Sequence, residues 1–134
     1  MKKLTICTGI MLAILFMFAV ACKKTDPTPT DPPITNENHN PAKPKVIYPM
    51  DEAEVSGNQV ILSWSSTDPD GDLMTHDVYL GTLGYLTHRV AFRISDQSVT
   101  VGDLQKGTMY HWKVVSYDVH GAFTESDVWS FTVK

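Results

Sequence analysis

Cysteine is almost missing from this chain: its 134 residues hold two, Cys7 and Cys22, both near the start. Cys7 falls inside a long apolar run, so a chain trimmed after that run keeps Cys22 alone and closes no intramolecular disulfide. Its folded part must then be stable through a core rather than through covalent staples. Basic residues are scarce as well. From Lys45 onward there are six against twelve acidic ones, a balance of −6. Affinity for nucleic acid comes mainly from neutralising phosphates, so an acidic region without a basic stripe excludes that partner. Helical periodicity is lacking past Cys22, and no glycine-rich phosphate loop leads into a helix. The five histidines (39, 76, 88, 111 and 120) never stand four apart, the helical spacing that brings two imidazoles onto one metal. The chain is expected to be no enzyme, because catalysis needs an acid, base or nucleophile beside its partner in a cleft.

One long apolar run is present, "LTICTGIMLAILFMFAV" at residues 4–20, behind Lys2 and Lys3. A basic start, an apolar stretch, then small residues at Ala19 and Ala21 form the layout of a secretory signal. A membrane-spanning helix is the other reading, since the run is near the lower limit of about 17 residues. The small residues before Cys22 favour cleavage after residue 21. "AVAC" resembles the lipobox of bacterial lipoproteins, with Ala19 where leucine is usual. That resemblance implies a diacylglycerol on Cys22, which becomes the mature N-terminus. The membrane is then a partner through the lipid anchor, because two or more acyl chains are needed for stable anchoring. It further implies a place in the cell envelope, at the outer membrane, with the leaflet open.

Residues 22–44 change character. "KKTDPTPTDPPITNENHNPAKP" holds six of the eight prolines and one large apolar residue, Ile34. It cannot bury enough surface to offset its ordering entropy, and its prolines favour extended conformation. It reads as a stalk.

Residues 45–134 alternate with period two between turn residues, which indicates strands. Val60, Leu62 and Trp64 alternate with polar neighbours in "QVILSWS", as do His76, Val78 and Leu80 in "LMTHDVYL". Tyr110, Trp112 and Val114 share one face of "TMYHWKVVSYD", and Trp129, Phe131 and Val133 share one of the closing strand. Seven strands with turns every ten or so residues predict an all-β, antiparallel Greek-key sandwich. Leu104 lies six positions before Tyr110, with Gly107 at the turn between them. This is similar to the tyrosine corner of Greek-key sandwiches, and Trp64 is similar to the core tryptophan of fibronectin type III domains. "DPDGDLMTHDVYLG", "GTMYHWKVVSYDVHGAFTES" and "VWSFTV" resemble the fibronectin type III-like modules of Bacteroidota surface proteins. His76 stands where such modules carry an aromatic residue, usually tyrosine. The resemblance implies a monomeric, immunoglobulin-like binding or presentation module for a protein or glycan. Trp64, Leu104, Tyr110 and Trp112 would be its structural residues.

"DPDGD" leaves two readings. Alternate aspartates suit calcium, which takes hard oxygens on a sharp bend. Here the glycine comes one place early for a helix–loop–helix calcium loop, and Tyr79 stands where its twelfth-position glutamate belongs. Proline, glycine and aspartate also make a turn by themselves. Asp118 keeps a calcium site under consideration, since in a fibronectin-like sandwich its loop shares a pole with Asp68, Asp70 and Asp72. Tyr79, Tyr85 and Tyr117 fall on outward or loop positions, where a ring can stack on a sugar.

Overall fold

The computed structural model describes residues 37–82, 85–86 and 88–134; the leader, Cys22 and the stalk up to residue 36 lie outside the described residues. Nine strands follow in order: β1 (Lys45–Tyr48), β2 (Ala53–Val55), β3 (Val60–Ser65), β4 (Thr75–Thr82), β5 (His88–Ile94), β6 (Ser98–Val101), β7 (Met109–Tyr117), β8 (Phe123–Glu125) and β9 (Trp129–Val133). One sheet has the order β1-β3-β6. The other has β2-β9-β7-β4-β5, with β8 also pairing β7.

Two departures from seven antiparallel strands have local causes. The first strand is divided between the sheets. The chain crosses at buried Pro49, after a cis Tyr48–Pro49 bond, and re-pairs as β2. There it runs parallel to β9, Ala53 opposite Phe131 and Val55 opposite Val133. Asp51 secures the crossing by accepting the Ser130 N–H at 2.7 Å. The closing strand is likewise broken. Glu125 pairs Val115 and Trp129 pairs Trp112, so residues 126–128 oppose only Lys113 and Val114. This one-residue bulge is held from both sides of Ser126, whose Oγ accepts the Val114 N–H at 2.9 Å and whose own N–H reaches the Val114 carbonyl at 2.8 Å.

Alternation decides the core. Val60, Leu62 and Trp64 are buried while Ile61, between the first two, is 54% exposed, and Val78, Val114 and Phe131 meet them from the facing sheet at 0% exposure. Trp112 and Trp129 pack with ring centroids 4.7 Å apart. At the far end the Tyr110 hydroxyl accepts the Gln105 N–H at 2.9 Å. Beside it buried Leu104 donates its N–H to the Asn58 carbonyl at 3.0 Å. Gly107, at φ 79°, supplies the positive φ that lets its N–H reach the Val133 carbonyl at 2.7 Å.

Eight residues read as stalk lie against the sandwich. Pro41 and Pro44 are buried, Ala42 donates to the Thr67 carbonyl at 2.9 Å, and Lys43 pairs Asp127 at 2.6 Å. Their apolar rings have found cover that the polar composition around them does not advertise.

Candidate functional site: an aspartate pole and an outer sheet face

The loop after β3 is built by Asp68. Its Oδ1 accepts the N–H groups of Asp70 at 2.9 Å and Asp72 at 3.3 Å, and Gly71 turns at φ 79°. The loop after β7 repeats the device: Asp118 Oδ1 accepts from His120 and Ala122, each at 2.8 Å. In both, a carboxylate replaces the backbone acceptors a tight turn lacks.

These two loops share a pole, and one oxygen each from Asp68, Asp70 and Asp72 lies within 4.8 Å of the others. His120 Nε2 stands 3.4 Å from Asp72 Oδ2. The convergence expected of Asp118 is not found. Its remaining oxygen accepts the Asn38 amide at 2.7 Å, and Asp118 stands outside the group of three that converges. Asp70 is engaged too, with Oδ2 accepting the His39 N–H at 2.6 Å and Oδ1 bonding His39 Nδ1 at 2.9 Å. Among the aspartates of the pole, Asp68 Oδ2 is the oxygen buried without a partner. Asn38 and His39 were not legible as partners, because nothing in a proline-rich segment marks which polar residue folds back.

The electrostatics follow these bonds. The His39 N–H and then its ring hold Asp70 below its ordinary value, and the bond to Asp70 raises His39. The Asn38 amide lowers Asp118, with the loop's own N–H groups adding to it.

Inside the same end of the sandwich runs a buried polar chain. His76 Nδ1 shares a hydrogen bond with Ser116 Oγ at 2.8 Å, and Ser66 Oγ donates to Ser116 Oγ at 3.0 Å. The imidazole meets the Trp64 ring edge-on, centroids 5.4 Å apart, and burial lowers its pKa. His76 thus fills the inward aromatic position as a neutral ring.

The outer face of the larger sheet carries what parity alone does not show. Asp77 points outward, yet it is 2% exposed. Phe92 and Arg93 form a bulge opposite it, with Arg93 at φ 50°. Asp77 Oδ1 accepts the Arg93 N–H at 2.8 Å, and Arg89 covers Oδ2 at 3.4 Å. The cations then lie on rings: Arg93 at 3.4 Å from the Tyr117 centroid, Arg89 at 4.2 Å from Phe92, Lys113 at 5.7 Å from Tyr79. Tyr117 packs on Phe123 at 5.6 Å, and burial raises its hydroxyl pKa.

His39 and His120 at the pole keep side-chain exposures of 62% and 60%. The hollows of about 160 and 300 Å³ flanking Lys43 are lined by no histidine.

Two sheets joined in this order, with a core tryptophan on the third strand and a hydroxyl-bonded corner at Tyr110, define the immunoglobulin-like sandwich class. Within it the chain belongs to the fibronectin type III domain family, which matches residues 49–132. The fold is similar to the type III domain of human fibronectin type III domain containing protein 3 at 23% identity and a TM-score of 0.53, covering 74% of this chain and 91% of that one. A Fn3-like protein from Clostridium thermocellum matches at 22% identity and a TM-score of 0.53, over 72% and 96% of the two chains. Pectate lyase PelI from Erwinia chrysanthemi, solved with tetragalacturonic acid, matches at 21% identity and a TM-score of 0.51, over 66% of this chain and only 28% of that enzyme. No curated protein matches the chain.

Proposed function

We propose that this chain is a lipid-anchored, non-catalytic protein of the cell envelope that holds a fibronectin type III domain off the outer membrane to bind or present a protein partner. The family membership supplies the module. The anchor rests on the order of three segments: an apolar leader, the junction "AVAC" at residues 19–22, and a proline-rich stalk. That order carries the reading, since a leader ending in a lone cysteine has no disulfide to make and two acyl chains are what hold a protein on a bilayer. Cell fractionation of Cys22→Ala tests it. The unaltered chain is expected in membranes at mature size, and the variant outside them or as the uncut precursor. A variant that stays in membranes at mature size would overturn the anchor.

A glycan-binding accessory is the second reading, favoured by the likeness to a sandwich within a polysaccharide lyase. Stacking on a sugar needs bare ring faces, and Arg93 and Lys113 lie over the two outer-sheet tyrosines, Tyr117 and Tyr79. The protein partner is the better fit.

A further inference from the structure

Among the described residues, the pole is closed by its own chain, because Asn38 and His39 occupy Asp118 and Asp70. The outer face of β5-β4-β7-β8 is not. Both arginines of the 134-residue chain stand on it, with Lys113, although residues 45–134 carry −6 in all. Two of these cations are matched by carboxylates: Arg89 by Asp77, and Lys113 by Glu125 at 2.7 Å. Among the described residues, no carboxylate lies within ion-pair reach of Arg93, whose guanidinium carbon lies over the Tyr117 ring, 3.4 Å from its centroid, instead. Stacking strips water from one side of that cation, and its planar fork keeps donors for a carboxylate on the other. Phe92 and Phe123 flank it at 61% and 53% exposure, on strands about 14 Å apart across three spacings. Exposed rings around a partly dehydrated arginine have the composition of interface hot spots.

We infer that this face docks a protein segment that places an aspartate or glutamate on Arg93 and apolar side chains against Phe92 and Phe123. Charge complementarity selects the occupant. Among the described residues Lys45 and Lys106 also lack a carboxylate partner. Arg93, however, is the unmatched cation that stacks on an aromatic ring beside exposed phenylalanines, so an acidic segment with apolar neighbours is steered to this face. A neutral glycan brings no charge to match the guanidinium and finds the Tyr117 ring already covered. A flat four-strand face is also an unlike shape for a small molecule, which needs a concavity.

The inference rests on the reading of the chain as a protein-binding module. Its test selects a displayed library of random twelve-residue peptides on the full chain in detergent micelles. Enriched peptides are then titrated against Arg93→Gln and Phe123→Ser, both checked for an unchanged melt, and beside oligogalacturonate. The expected result is enrichment of an acidic residue flanked by apolar ones. Affinity should fall at least tenfold on either variant and on the peptide's own Asp→Asn or Glu→Gln change, and weaken with salt. Peptides that bind but ignore Arg93 and Phe123 would sink this face and leave the module reading standing. Binding of oligogalacturonate at Arg93 in place of peptides would overturn both, and so would the absence of any selectable peptide.

Discussion

His39 holds Asp70 twice, through its backbone N–H at 2.6 Å and through its ring at 2.9 Å. One residue of the segment read as a stalk thereby closes the pole of the domain, with Asn38 on Asp118 beside it.

The clasp is expected to depend on pH in a definite direction. His39 is raised above 6.5, so its contribution is full below that value and is lost as pH rises through the folded pKa. Asp70 is lowered below 3.8, so its contribution is present above that value and is lost as pH falls through the folded pKa. The clasp should therefore be tightest between roughly pH 4 and 6.5 and loosen on the alkaline side. Both partners are exposed, so the effect is small. NMR titration of His39 checks it: Asp70→Asn should move its pKa down toward the ordinary value. An unchanged titration would show that the two do not interact in solution.

Why the clasp was hidden, while the sandwich was plain, is a matter of what pattern records. Val60, Leu62 and Trp64 announce a strand because burial on one face imposes period two, and the same logic exposes Ile61. β8 escaped because Ser126 breaks the ladder and supplies the missing acceptor with its own hydroxyl, which shortens both halves of the closing strand. Asp77 escaped because parity says outward, and only the bulge at Phe92–Arg93 brings two arginines over it. The aspartate turn was legible because proline, glycine and aspartate act locally. Its partners in the stalk were not, since 31 residues separate His39 from Asp70. Pattern reports local periodicity; it is silent on which distant polar group comes back.

Ser116 should matter more than its size suggests. Its hydroxyl lies between His76 Nδ1 and Ser66 Oγ at 2.8 and 3.0 Å, in a site 0% exposed. Ser116→Ala would leave the imidazole nitrogen buried without a partner, a cost of about 1–3 kcal/mol. Chemical denaturation reads this as a lower midpoint with an unchanged slope. The pH dependence has its own sign. His76 is lowered by burial, so the unfolded chain takes its proton first and stability should fall as pH drops below 6.5 toward the folded pKa. That slope is opposite to the one His39 imposes, and His76→Phe should remove it. A variant that keeps the full acid slope would assign it elsewhere.

Tyr110→Phe isolates one hydrogen bond. The ring stacks on Phe131 with centroids 5.5 Å apart, and phenylalanine keeps that contact. What is lost is the acceptor for the Gln105 N–H at 2.9 Å. The expected cost is about 1 kcal/mol, a few degrees in the melt of a domain this size. A superimposable melt would mean that water replaces the phenol at no cost and that the corner contributes nothing to stability.

Calcium offers the sharpest test of the aspartate pole. A cation bridging Asp68, Asp70 and Asp72 would have to displace the His39 ring from Asp70, and it would find Asp118 bound to Asn38 and to its own loop. What remains uncommitted is Asp68 Oδ2 and part of Asp72, so most of the six to eight oxygens the ion takes would have to come from water. If a site with a Kd of about 10⁻⁴ M formed nonetheless, 10 mM calcium would stabilise the fold by RT ln(1 + [L]/Kd), about 2.7 kcal/mol. That is several degrees in a domain of this length. Melts of residues 37–134 with EDTA and with 10 mM calcium should instead superimpose. His39→Ala frees Asp70 and makes the test stricter: if the clasp alone keeps calcium out, this variant would gain a calcium-dependent rise that Asp70→Asn abolishes. Flat curves in both would leave the three aspartates as the braces of a turn, each solvated or bonded on its own.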